Sequence, residues 1–367
     1  INKAAKEGQD DAVVVEHDRY KLTNNTKQNY DLSENPPMAK RLKLSAPETE
    51  WKHLDSMCTE GSCVAFNSHA VYAMIDDHRL FAAGKRKDSS LFCEYYDSKT
   101  RKWNLLSNTM RRIHSVFGAQ CIEGKVYILY NYGSIRMEIV SIDLSGGGNE
   151  KNIVDYSTRK TTPDTIMHSA TTALHLKYMY VFGVRDKPQR YSTDTDKWQS
   201  IPNMPTKREF AVAAALGDKI YVVSGRDSNF NSITSTDVFN TSTQQWEQSA
   251  VPDMNQGRQQ ASAVVVDDQY LVVVGGCGAS DLSTIKILDT KRNVWMDGGV
   301  KLRHKRIRPY VGYFKKTKEF LVGGGGDDDW SKFDTAESIP FCKLLVTPDF
   351  IWSQRETLLP YMLKYSV

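Results

Sequence analysis

Four arginines recur at related positions along the chain, and their chemistry suits acidic ligands. Arg208, Arg258 and Arg308 are each fifty residues apart, and Arg112 lies ninety-six residues before Arg208. A planar guanidinium can hold a carboxylate or a phosphate through two parallel hydrogen bonds. We therefore expect these side chains to ring one opening of a repeat structure and to bind an acidic ligand. The alternative is that each arginine bonds to backbone carbonyls of neighbouring repeats and meets no ligand.

The run 301–308 carries a second concentration of positive charge. It contains five lysines or arginines and one histidine in eight positions, which is more than one loop needs for solubility. Such a run predicts a docking surface for an acidic protein segment, and a nucleic-acid backbone is the less favoured partner. The members expected to contact a partner are Arg303, Lys305, Arg306 and Arg308.

Histidine and aspartate clusters raise the alternative of a metal site. His69, His114 and His168 stand at the starts of three predicted strands, where imidazoles from neighbouring repeats could meet. A repeated turn residue that bonds locally is the more frequent role for such a histidine. The run Asp327–Asp329 lacks the spacing of a calcium-binding loop, so we expect a solvated acidic loop. The preferred prediction is no metal, no cofactor and no catalytic residue.

The segment 36–44 resembles a short nuclear-import signal. Its charges are Lys40, Arg41 and Lys43, which could occupy acidic grooves on an import receptor. The alternative is a solvated basic patch that no receptor reads. The expected location is intracellular, in the cytoplasm or the nucleus.

A repeated β structure must position these residues. An apolar strand that ends in glycine, such as Lys219–Gly225, recurs and is followed by an aromatic or aliphatic residue and, seven positions later, by tryptophan. The pairs at this interval are Tyr96–Trp103, Tyr191–Trp198, Phe239–Trp246, Leu288–Trp295 and Leu345–Trp352. First strands are predicted at 69–75, 114–120, 169–174, 210–216, 261–266 and 310–314. Six repeats of roughly 40 to 55 residues are typical of four-stranded propeller blades.

These repeats resemble kelch repeats. The similarity lies in the glycine pairs Gly275–Gly276 and Gly323–Gly324, in the tyrosine and the tryptophan seven residues later, and in the arginine or methionine that follows; it extends over about 300 residues, from Trp51 to Trp352. The resemblance implies an all-β fold, a six-bladed propeller of four-stranded antiparallel blades.

The resemblance also implies a function. It favours a non-catalytic protein-interaction module or assembly subunit, similar to the kelch-type adaptors of ubiquitin ligases. Some kelch-type propellers are oxidases or mutarotases, so an enzyme with a metal or acid/base site at the channel mouth is the alternative, with His114 and His168 as ligands or bases.

In such blades, the loop after the outer strand and the loop between strands two and three open on the same face. That face would carry the four arginines, the basic run and, from the second type of loop, a further set of cations. These are Lys85, Arg86, Lys87, Arg185, Lys187 and Arg226.

The chain divides into three predicted segments. Residues 1–49 form an extended polar tail that would become ordered on a partner, 50–352 form the propeller, and 353–367 pack on the propeller. A propeller must close to remove its sheet edges, and the stretches from Trp51 and from Trp352 both resemble outer strands. We expect Trp51 to begin the outer strand of the last blade.

Composition limits the partners. The 367 residues carry a formal net charge of only +4, which by itself does not predict nucleic-acid binding. The sequence contains no run of eighteen apolar residues, the length needed to span a membrane. The expected partner is a protein with an acidic surface or segment, within a large multi-subunit complex.

Overall fold

Six four-stranded antiparallel sheets make up the computed structural model. It describes residues 51–54, 71–85, 91–106, 113, 115–131, 137–144, 154–159, 169–183, 187–278, 283–327, 333 and 335–345. Each sheet is one blade, and the first strands follow one another around a ring that closes from the last blade back to the first. The all-β, six-bladed fold predicted from the sequence is confirmed.

The strands follow the predicted order within each blade. The first strand of the described residues is β1 (Lys52–Leu54). Blade 1 is β2 (Val71–Met74), β3 (Arg79–Lys85), β4 (Leu91–Asp97) and β5 (Lys102–Leu105), and blade 2 is β6 (Ser115–Ile122), β7 (Lys125–Asn131), β8 (Met137–Asp143) and β9 (Val154–Arg159). Blade 3 is β10 (Thr171–His175), β11 (Tyr178–Phe182), β12 (Gln189–Ser192) and β13 (Lys197–Ser200), and blade 4 is β14 (Val212–Leu216), β15 (Lys219–Val223), β16 (Thr236–Asn240) and β17 (Gln245–Glu247). Blade 5 is β18 (Ser262–Val266), β19 (Tyr270–Val274), β20 (Ile285–Asp289) and β21 (Val294–Asp297). Blade 6 is β22 (Tyr310–Phe314), β23 (Glu319–Gly323) and β24 (Ala336–Pro340), followed by the helix α1 (Phe341–Leu344).

The ring is closed by β1, which forms the outer strand of blade 6. It pairs with β24 in antiparallel register, with Lys52 opposite Ser338. The preceding Trp51 is 3% exposed, and its indole N–H donates to the carbonyl of Lys301 at 2.8 Å. The prediction that the stretch from Trp51 closes the ring is confirmed, because pairing with β1 covers the free edge of β24.

The seven-residue interval before tryptophan reflects strand pairing. In blades 1, 3, 4 and 5 the two residues lie directly opposite each other on the third and fourth strands, as Phe239 and Trp246 do. The interpretation of Leu345 and Trp352 as a further pair was wrong. Leu345 caps the C-terminus of α1 and is not part of a third strand, and Trp352 lies outside the described residues. Trp51 occupies the tryptophan position of blade 6, because its indole donates to the Lys301 carbonyl as those of Trp246 and Trp295 donate to the carbonyls of Pro202 and Pro252.

Apolar clusters fill the spaces between blades. Between blades 3 and 4, the Phe182 ring meets the Trp246 ring edge-on at a centroid distance of 5.9 Å, and Tyr180 lies 5.9 Å from Phe239. Equivalent clusters lie between the other neighbouring blades. Since most of the apolar surface of a blade is covered by its neighbours, closure of the ring stabilises every blade.

Glycine is required where the second strand ends near the channel. Gly225 and Gly325 have φ angles of +94° and +76°, and an added Cβ would lie 2.6 and 2.5 Å from the carbonyl oxygens of Glu209 and Ile307. No side chain fits at that distance. The glycine pair of blade 6 is therefore 324–325, one residue later than predicted.

The first strands line a central channel with a cavity of about 380 Å³. Inside it, the hydroxyl of Tyr72 on β2 donates to the carbonyl of Ala263 on β18 and accepts from its N–H, both at 2.9 Å. These strands belong to blades 1 and 5, which are not neighbours in the ring. Burial raises the pKa of Tyr72 to about 12. Tyr72 is thus a polar bridge across the channel.

Tyr72→Phe is expected to lower the free energy of unfolding at neutral pH by about 1–2 kcal/mol, because both backbone groups lose their partner. The loss should shrink toward about pH 10.5, because an unfolded tyrosine ionises near pH 10 whereas folded Tyr72 keeps its proton until about pH 12. The wild type therefore loses this contribution as the pH rises through that window. Urea unfolding at both pH values measures it.

Tyr178→Phe is the matched control, because the Tyr178 ring stacks with Arg190 and no hydrogen bond of its hydroxyl is found in the described part of the chain. It should change the free energy of unfolding by less than about 0.5 kcal/mol. A loss at Tyr72 that is the same at both pH values would contradict the assignment.

Candidate functional site

Three buried arginines occupy equivalent positions before the first strands of blades 4, 5 and 6. They are Arg208, Arg258 and Arg306, with 4%, 4% and 1% of their surface exposed. Each guanidinium donates to backbone carbonyls of its own blade. The distances are 2.9 and 2.8 Å from Arg208 to Ser224 and Ser235, 3.1 and 2.9 Å from Arg258 to Gly275 and Thr284, and 2.7 Å from Arg306 to Gly324.

Carboxylates on the third strands accompany two of these arginines. Arg208 lies 3.0 Å from Asp237, and Arg306 lies 3.5 Å from Glu337. Burial lowers the pKa of both arginines and raises that of Glu337. Breaking such a pair leaves an uncompensated buried charge. Arg208, Arg258 and Arg306 therefore have the structural role given above as the alternative, in which the arginine bonds to backbone carbonyls.

The fifty-residue interval predicted that Arg308 would share the position of Arg208 and Arg258. This prediction was wrong. The repeat from blade 5 to blade 6 is two residues shorter, so Arg306 takes the buried position. Arg308 instead matches Phe210 and Gln260, and the three have φ angles of 53°, 54° and 57°. The Arg308 N–H donates to the Gln260 carbonyl at 2.8 Å, and the Gln260 N–H donates to that of Phe210 at 3.0 Å. These residues surround the mouth of the channel.

The side chain of Arg308 lies at this mouth and lines the cavity. It is partly exposed, and its guanidinium carbon lies 5.5 Å from the centroid of the Phe210 ring. Within the part of the chain that the structure describes, its Nε has no hydrogen-bond partner and no carboxylate forms an ion pair with it. Burial lowers its pKa to about 10, so the group is still charged at neutral pH.

A second arginine extends the site outward. Arg226 donates to Glu209 through Nη2 at 2.9 Å and through Nε at 3.1 Å. Its guanidinium lies between two rings, 4.5 Å from that of Phe210 and 4.6 Å from that of Phe230. Arg226 was predicted on this face, but Phe210 and Phe230 were missed. Phe210 stands two residues after a repeated arginine, which is the signal that could have identified it.

The basic run 301–308 divides among several environments instead of forming one patch. Arg303 and Lys305 are exposed, and Arg303 donates to the Trp51 carbonyl at the outer strand. The ring of His304 stacks on Phe333 at 5.3 Å. Arg306 points into blade 6, and Arg308 lies at the channel. Only part of the run is therefore placed to meet a partner at the channel mouth.

Several predicted residues lie outside the described part of the chain. They are Arg112, Lys40, Arg41, Lys43, Arg86, Lys87, Arg185, His69, His114, His168, Asp328 and Asp329, and the predicted segments 1–49 and 353–367 lie there too. Among the residues that are described, no group of three histidine, cysteine, aspartate or glutamate side chains is arranged to hold a metal ion. The same residues include no helix with the length and apolar character needed to cross a membrane.

Known proteins share the repeats. The sequence model of the KLHDC2/KLHL20/DRC7 Kelch-repeats domain matches residues 149–325. Kelch-like protein 26 of Danio rerio is 28% identical over 184 residues, which cover 47% of this chain and 29% of that protein. F-box/kelch-repeat protein At4g29370 of Arabidopsis thaliana is 36% identical over 113 residues, 29% of this chain and 27% of its own length. F-box/kelch-repeat protein SKIP11 of the same plant is 32% identical over 92 residues, 25% of this chain and 19% of its own length.

The aligned segments thus span less than a third of each of these relatives. The residues that the family model matches, 149–325, include the last strand of blade 2, the whole of blades 3, 4 and 5, and the first two strands of blade 6. The relatives do not agree on one subfamily, since one is named kelch-like and two are named F-box/kelch-repeat. This chain belongs to the kelch-repeat β-propeller family.

Proposed function

We propose that the protein is a non-catalytic interaction module that binds an acidic segment of a partner protein at the channel mouth. The observation that supports this most directly is Arg308, a partly buried guanidinium with no paired carboxylate among the described residues. A desolvated cation is stabilised when an anion reaches it. A carboxylate of the partner would accept hydrogen bonds from the Nε and terminal N–H groups of Arg308, which have no acceptor among the described residues.

Exposed cations elsewhere on the loop that carries Arg308 have a supporting role in this proposal. Arg303 and Lys305 lie on the same loop as Arg308 and are exposed to solvent. Exposed charges contribute little binding energy individually, but they accelerate the approach of an oppositely charged partner. Arg208, Arg258 and Arg306 have no part in binding, because their guanidinium groups are buried in internal bonds.

The relatives support an adaptor role without naming a partner. Two of them are named as proteins that join an F-box to kelch repeats. A propeller in such a chain would present a partner to the other domain. Membership of a larger complex and an intracellular, cytoplasmic or nuclear location remain part of the proposal.

The enzyme alternative depends on residues outside the described part of the chain. Its ligands or bases would be His114 and His168. No observation on the described residues favours it, so it stays a prediction, which metal analysis of the purified protein would test.

Binding of poly-L-glutamate, measured by titration calorimetry, tests the proposed function. The wild type is expected to bind, and Arg308→Met is expected to bind about 30-fold more weakly, because a partly buried charge pair is worth about 2 kcal/mol or more. Lys197→Met is the matched control, since it removes one exposed positive charge from the outer strand of blade 3. It should change the affinity less than about threefold. Equal affinities of the wild type and Arg308→Met would contradict the proposal.

A further inference from the structure

Four side chains form a continuous row from the channel mouth to the rim of blade 4. The row, in order, is Arg308, Phe210, Arg226 and Phe230, and its three steps measure 5.5, 4.5 and 4.6 Å from guanidinium carbon to ring centroid. Cations and rings alternate at distances typical of cation–π contacts. About four residues of extended chain would span such a row, because a strand rises about 3.3 Å per residue. We call these four residues the mouth row.

The outer end of the mouth row is a phenylalanine held in solvent. Phe230 is 69% exposed and has a φ of +65°, which is unusual for a bulky side chain. The loop is fixed around Asp227, whose carboxylate accepts the N–H groups of Asn229 and Asn231 at 2.9 and 2.8 Å. The Phe230 N–H donates to the Asp227 carbonyl at 3.1 Å. The loop therefore presents this ring to solvent in a defined position.

The charge of the mouth row is concentrated at its inner end. Arg226 forms an ion pair with Glu209 and has a ring on either side, so its charge is already compensated. No such partner accompanies Arg308 among the described residues. One face of the Phe230 ring meets Arg226, which leaves the other available for stacking. The row thus offers an uncompensated cation at one end and an aromatic surface at the other.

We infer that the mouth row selects acidic segments that carry an aromatic side chain within about four residues of a carboxylate. The carboxylate binds Arg308, and the aromatic ring stacks on the free face of Phe230. Aromatic pairs contribute about 0.5–1.5 kcal/mol beyond the burial of their area, so a ring is preferred to a small aliphatic side chain. This inference rests on the proposed function and specifies its ligand.

Three polymers test the inference, compared at equal glutamate concentration: poly-L-glutamate, a glutamate–alanine copolymer and a glutamate–tyrosine copolymer. The wild type is expected to bind the tyrosine copolymer about three- to tenfold more tightly than the other two. Phe230→Ser should remove this preference and keep the affinity for poly-L-glutamate. Phe230→Trp, which retains a ring, should keep the preference. Both substitutions lie on an exposed side chain, and circular dichroism checks that the fold is unchanged.

The outcomes separate the two proposals. Failure of the wild type to bind any of the polymers would overturn the proposed function and this inference together. Equal binding of all three would overturn the inference alone, as would a preference for tyrosine that survives Phe230→Ser. Two results together would support both proposals. Phe230→Ser would lose the preference for the tyrosine copolymer, and Arg308→Met would bind every polymer more weakly than the wild type.

Discussion

Replacing Arg306 by methionine is expected to lower the free energy of unfolding by about 3–5 kcal/mol, whereas the same change at Arg308 should cost less than about 1 kcal/mol. Arg306 is 1% exposed, and its loss leaves Glu337 buried without its counter-charge and the Gly324 carbonyl without its donor. Arg308 has no ion pair among the described residues, so methionine there removes a desolvated charge and keeps the apolar stem. Urea unfolding at neutral pH measures both variants.

A second substitution tests the cause of the loss at Arg306. Adding Glu337→Leu to Arg306→Met should recover at least half of the stability, because an apolar pair replaces the unpaired carboxylate. Arg208→Met, at the equivalent position of blade 4, should resemble Arg306→Met, since it leaves Asp237 without the guanidinium at 3.0 Å. A larger loss at Arg308 than at Arg306 would mean that their positions have been assigned the wrong way round.

Trp51→Ala is expected to lower the free energy of unfolding by about 3–5 kcal/mol and to cause association. The Trp51 side chain fills the core between blades 5 and 6 and donates to Lys301, and the residue immediately precedes β1. Its loss should create a cavity and weaken the pairing of β1 with β24, which would expose the edge of blade 6. Urea unfolding measures the stability, and light scattering across a range of protein concentrations measures association.

Trp295→Ala is the control for ring closure. The Trp295 indole donates to the Pro252 carbonyl at 3.0 Å, as Trp51 donates to Lys301, but Trp295 lies within blade 5, whose four strands are continuous in the chain. It should lower stability by a smaller amount and leave the association state of the wild type unchanged. If Trp51→Ala associates no more than the wild type and is no less stable than Trp295→Ala, closure of the ring does not depend on Trp51.

The repeat pattern was sufficient for the architecture because each blade is built from local pairing. Trp246 lies opposite Phe239 across a tight turn, so the interval of seven residues is itself the register of the hairpin. Closure by β1 was the favoured one of two predictions, because the stretches from Trp51 and from Trp352 both resemble outer strands, and the pairing of β1 with β24 confirms it. The error at Leu345 arose because the same interval can occur by chance after the last paired strand.

The candidate site was less predictable, because it depends on a shift of two residues. Arg258 and Arg308 share the fifty-residue spacing, but the chain between the first strands of blades 5 and 6 is shorter, so Arg306 enters the buried position. The buried position and the position at the channel mouth both hold an arginine in blade 6, namely Arg306 and Arg308. Only the surrounding carbonyls and carboxylate distinguish an arginine that holds a blade together from one that faces the channel.

By itself, the amino-acid sequence determined six blades of four strands and their order, since these follow from periodic apolar residues and turns that act over short separations. It left two candidates for the strand that closes the ring, and the pairing of β1 with β24 decided between them. The tertiary structure alone decided which cations remain available. Arg308 meets Phe210, almost a hundred residues earlier, only because neighbouring first strands converge on the channel. Compensation of a charge depends on such distant neighbours, and a one-dimensional pattern does not contain them.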